Sequence, residues 1–139
     1  MLYQQQSPKQ VKPENEHQQY LKQRCSDILN FKNTNNINEL LSHLQKYVED
    51  CGGFVTTHQL RNIFSKVKTH RIKTAQQIQL IRPQLAYIAA RQGNDKAKAF
   101  VNFLQNIICE IKDDKQVEHF VAFFEAIVAY HKLYHGNKK

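Results

Sequence analysis

The sequence predicts an all-α protein, a compact bundle of about five helices with short connections. Three observations carry this expectation. Apolar residues recur at i, i+3 and i+4 through most of the chain after residue 37, the period of one helix face. A Thr-x-x-Gln capping pattern occurs twice just ahead of such stretches, at Thr56 with Gln59 and at Thr74 with Gln77. The chain holds only four Gly in 139 residues, and no segment alternates as a strand would.

Residues 1–36 are rich in Gln, Asn and Lys and include Pro8, Pro13 and an Asn-Thr-Asn-Asn run. Such a segment buries too little to offset its ordering entropy, so a mostly mobile extension is expected. Tyr20, Leu21, Arg24, Ile28 and Leu29 have helical spacing, and a short docked helix is the one exception foreseen.

The bundle domain is expected over residues 37–139. Its first helix spans Asn38 to Asp50 on a Leu40, Leu41, Leu44, Val48 stripe and stops at Gly52-Gly53. The second opens at the Thr56 capping box, buries Leu60, Ile63, Phe64 and Val67, and turns Arg61, Asn62, Ser65, Lys66 and Lys68 outward. The third opens at Thr74 and buries Ile78, Ile81, Leu85 and Ile88, with Pro83 expected to kink or divide it. After the Gly93-Asn94-Asp95 break a fourth helix buries Phe100, Phe103, Leu104, Ile107, Ile108 and Ile111. Asp113 or Asp114 caps the fifth, Val117 to Tyr134, which is apolar on nearly every side of its wheel. That reads as a buried central helix covered by the others. Its Glu118, His119, Glu125, His131 and Lys132 argue against a membrane span.

The formal charge is +8 with a pI near 9.5, which suggests a polyanionic partner. The charge is not evenly spread. Thr56 to Arg91 holds seven basic residues (Arg61, Lys66, Lys68, Arg71, Lys73, Arg82 and Arg91) and no Asp or Glu, so this stretch supplies +7 of the +8. A solvated basic face with no partner is the plain reading. The segregation favours a phosphate-binding face, because Lys and Arg gain affinity by releasing counterions without reading bases. Three widely spaced Cys, with no CxxC, favour free thiols in a reducing, cytoplasmic setting. No apolar run opens the chain, so neither signal peptide nor anchor is expected.

Three blocks resemble the small subunit of the type III-A CRISPR effector, the Csm complex: TTHQLRNIF from Thr56, LIRPQLAYIAAR from Leu80 and FFEAIVAYHKLY from Phe123. Ala90 departs from the pattern, since members often carry Gly before the Arg. The resemblance implies a non-catalytic helical subunit, present in several copies beside other Csm subunits. It implies a position along the channel where guide RNA pairs with target RNA, with cleavage left to other subunits. By that likeness Arg61 and Arg91 are the leading RNA contacts, joined by Lys66 and Lys68 on charge and then by Arg82.

Other residues have two readings each. Glu125, set in the most apolar helix, is expected as a buried structural charge paired with Arg91 or Arg61; as a catalytic acid it lacks a second carboxylate or Lys nearby. His131 and His135 have the spacing of a metal pair but no third ligand, so no metal is expected there. Cys51 has no base to activate it, and Gly52-Gly53 lacks the Lys and Ser/Thr of a phosphate loop, so no cofactor is implied. Tyr87, Tyr130 and Tyr134 could stack on bases or lie at the core edge. The alternatives to an RNA-binding subunit are a scaffold whose basic face meets an acidic protein, and a metal-dependent ribonuclease using His131, His135 and Glu125.

Overall fold

The computed structural model describes residues 15–136. Within them the chain forms α1 (Glu16–Lys22), α2 (Cys25–Ile28), α3 (Ile37–Cys51), a 3-10 turn (Gly52–Phe54), α4 (Thr57–Thr69), α5 (Ala75–Ile78), α6 (Ile81–Gln92), α7 (Asp95–Cys109) and α8 (Asp114–His135). No strand occurs among the described residues.

Side-chain caps set most of the starts. Thr56 and Gln59 close a reciprocal capping box on α4, and Thr74 and Gln77 close another on α5. Asn94 accepts from the Ala97 N–H at 2.8 Å to open α7, and Asp113 accepts from the Gln116 N–H at 2.9 Å to open α8. Asp114 reaches elsewhere. Its carboxylate accepts from the Ala75 N–H at 2.9 Å and so ties α8 to the first turn of α5. Pro83 does coincide with a division, but the break falls before it, between Ile78 and Ile81. Pro83 itself sits in the first turn of α6, where a missing N–H costs no helical bond.

α8 packs against α3, α4 and α5, while α7 packs against α6. The core between them is aromatic: Tyr47, Phe100, Phe103, Phe120, Phe123 and Phe124 are all buried. Each such ring contributes roughly 1.5–3 kcal/mol by leaving water.

Two expectations need correction. The segment from residue 15 to residue 36 is docked well beyond the one short helix foreseen around Tyr20 to Leu29, which α1 and α2 supply. Leu21, Ile28, Leu29 and Phe31 join the core, and Phe31 packs edge-on against Phe123. Its polar residues bond one another, with the Thr34 hydroxyl donating to Asp27 and in turn accepting from the Asn36 N–H. The expectation for residues 1–14 lies outside the described residues. Second, α8 is not buried all round. Its buried residues, Val117, Phe120, Phe123, Phe124, Ile127 and His131, form one face at helical spacing. Val121, Val128 and Tyr130 are half-buried, and Leu133 is 65% exposed.

Candidate nucleic-acid interface

A groove of about 750 Å³ runs between α4 and α6. Asn62 and Lys66 line it from α4; Gln84, Tyr87 and Arg91 line it from α6. No Asp or Glu lines it. Its upper edge is tied by Gln59, whose Oε1 accepts from the Thr56 N–H at 2.9 Å and from Gln92 Nε2 at 3.2 Å. One amide thus caps α4 and fixes α6 beside it. Lys66 and Arg91 are exposed, and neither meets a carboxylate among the described residues. Tyr87 is 64% exposed on the same groove, which places it away from the core edge.

The other basic residues do not share this groove. At roughly 100° per residue, Lys66 and Lys68 stand about 160° apart around α4. Arg61 lies on the Lys68 side, and Lys68 itself sits over the Phe64 ring at 5.7 Å. Arg82 is half-buried beside Pro83, Ala86 and Gln105; its Nη1 donates to Gln79 at 3.2 Å and its buried Nε has no partner. The structure therefore joins Lys66 with Arg91 and separates both from Arg61, Lys68 and Arg82. The sequence held the signal for this, since the helical wheel of α4 already divides its cations between two flanks.

Glu125 is a correction. It is exposed on the outer face of α8 and makes no ion pair with Arg61 or Arg91. The i, i+3, i+4 stripe buries Phe124 and Ile127 beside it and turns position 125 to solvent.

Two of the three histidines of α8, His131 and His135, serve the C-terminal end of α3. His131 is buried and its Nε2 lies 2.7 Å from the Gly52 carbonyl. A carbonyl only accepts, so Nε2 carries a proton, while Nδ1 shares a 2.6 Å hydrogen bond with the Thr57 hydroxyl. His135 Nε2–H donates to the Val48 carbonyl at 2.9 Å. Both rings approach closely because glycines face them. A Cβ on Gly52 would meet His131 Cδ2 at 3.2 Å, and one on Gly53 would meet His135 Cε1 at 3.1 Å. The i, i+4 spacing that resembles a metal pair thus adds a second donor to each of two carbonyls at a helix end, since Val48 also accepts from the Gly52 N–H and Gly52 from the Val55 N–H. Among the described residues no cluster of three or more His, Cys, Asp and Glu is placed to hold a metal ion.

Burial pushes the Cys25 thiol up, with Glu110 adding to it. Burial also raises the Cys51 thiol, Asp50 adding and Lys96 opposing. Neither is an activated nucleophile.

Compared with known protein families, the chain matches Csm2 Type III-A over residues 33–137. The chain belongs to the Csm2 Type III-A family. It is therefore a small subunit of the Csm complex in type III-A CRISPR defence, with other Csm subunits as its partners. The match covers α3 to α8 and both histidine contacts, and it leaves α1 and α2 outside. No curated protein and no solved structure matches this Csm2-family chain. No helix among its described residues is long and apolar enough to cross a membrane.

Proposed function

We propose that this chain is a non-catalytic, RNA-binding Csm subunit that holds the phosphate backbone of guide or target RNA in the α4–α6 groove. The observation that carries the reading is the groove itself: Lys66 and Arg91 face it from two different helices, and no carboxylate lines it. Two cations held on rigid elements at fixed separation suit a phosphodiester chain, and Asn62 and Gln84 can add neutral hydrogen bonds. Arg61 and Lys68 raise the positive potential of the neighbouring flank, and Arg82 serves chiefly to bridge to Gln79. Contact with the backbone alone fits a ribonucleoprotein in which base pairing with the guide supplies the specificity.

The test reverses both cations, Lys66→Glu with Arg91→Glu. Affinity should fall by a similar factor for RNAs of unrelated sequence, and the plot of log K against log salt should flatten. Unchanged affinity at low salt, with an unchanged slope, would place the RNA elsewhere.

A further inference from the structure

The opposite flank of α4 carries a second groove, of about 400 Å³, where four cations converge from separate parts of the chain. Lys68 comes from the last turn of α4, Arg71 and Lys73 from the connection to α5, and Lys32 from the segment before α3. Glu118 is the single carboxylate on its lining.

Arg71 is the informative member. The end of α4 closes with the Ile72 N–H on the Val67 carbonyl at 3.0 Å and the Arg71 N–H on the Lys68 carbonyl at 3.3 Å. That hydrogen-bond pair demands a left-handed residue between helix and exit, a position glycine fills without strain. Here Arg71 fills it, at φ 53°, the one non-glycine with positive φ among the described residues. Its side chain is exposed and meets no carboxylate among those residues, so packing gives no reason for an arginine at a strained position. Strain retained at such a point directs attention to what the side chain does.

The backbones around it are fixed, while none of the four cations pairs with a carboxylate among the described residues. Ile72 is packed against the core, Lys73 N–H donates to Gln77 Oε1 at 3.1 Å, and Lys32 N–H donates to His119 Nδ1 at 3.0 Å. We propose that this groove is a second phosphodiester-binding site, so that α4 forms a ridge with one RNA backbone segment on each flank. Lys32, Lys68, Arg71 and Lys73 hold the second segment, and Glu118 sets where along the groove a phosphate can sit.

Arg71→Gly tests this cleanly, because glycine suits the backbone that the arginine strains. With a single-stranded RNA of mixed sequence as probe, the variant should melt no lower than the parent yet bind more weakly. Its salt slope should be flatter by about 0.7 for the lost contact. Lys73→Ala should act in the same direction, and Arg71→Gly should remove the binding that survives Lys66→Glu/Arg91→Glu. Unchanged affinity and slope in Arg71→Gly, in both backgrounds, overturns the second site. So does a polyglutamate probe that binds as well as RNA and loses as much on Arg71→Gly, because the groove would then serve acidic protein. If Arg71→Gly weakens RNA binding while Lys66→Glu/Arg91→Glu leaves it intact, this site stands and the α4–α6 reading falls.

Discussion

α4 and α8 lie against each other, with the Phe64 and Phe124 rings 6.1 Å apart, yet they use their outer faces in opposite ways. α8 buries a six-residue face and turns charges of both signs outward, among them Glu118, Glu125 and Lys132. α4 buries Leu60, Ile63 and Val67 and turns only positive charge outward, split between two flanks. A mixed surface satisfies solvent; a single-signed one leaves its attraction for anions uncancelled. On the proposed reading, stability and nucleic-acid affinity reside on neighbouring helices and can be separated by substitution.

The strongest way to break that separation is Phe124→Ala. It should cost about 3–5 kcal/mol in denaturant unfolding, since a fully buried ring is removed from a packed aromatic core. RNA affinity should fall only as the folded fraction falls. A loss of affinity in fully folded protein would show that α8 takes part in binding directly. Next, His131→Ala should cost about 1–3 kcal/mol by removing a buried ring and its short bond to the Gly52 carbonyl, which keeps only the 3.4 Å bond from the Val55 N–H, without changing RNA affinity. A cost near zero would make the imidazole a bystander. Smallest is Glu125→Ala, expected within about 0.5 kcal/mol because the side chain is exposed and unpaired. A loss of about 3–5 kcal/mol would instead reinstate a buried ion pair.

Helix starts were legible in the sequence because they depend on neighbours a few residues away: Thr56 with Gln59, Thr74 with Gln77, Asp113 with Gln116. What depended on distant partners was not. Residues 15–36 read as polar apart from the short helix foreseen at Tyr20 to Leu29, and contacts such as Phe31 on Phe123 and Lys32 on His119 reveal that the rest is docked too. α8 read as apolar all round because its Val121, Val128 and Leu133 are hydrophobic; composition does not say which side faces the core. The acid-free run from Thr56 to Arg91 was plain, but its geometry was not. Lys66 meets Arg91 across a helix pair, whereas Lys68 meets Arg71, Lys73 and Lys32 on the other flank. Left-handed Arg71 gave no sequence signal at all, since the turn type that exposes it is set by Ile72 returning to the core.

The facing of two glycines with two histidines also constrains how this chain can vary. A methyl at position 53 has room only if the ring at position 135 withdraws, and position 52 is bound to position 131 in the same manner. A larger residue at either glycine should therefore be tolerated only where the facing histidine, and at position 52 Val48 as well, gives way by a few tenths of an ångström.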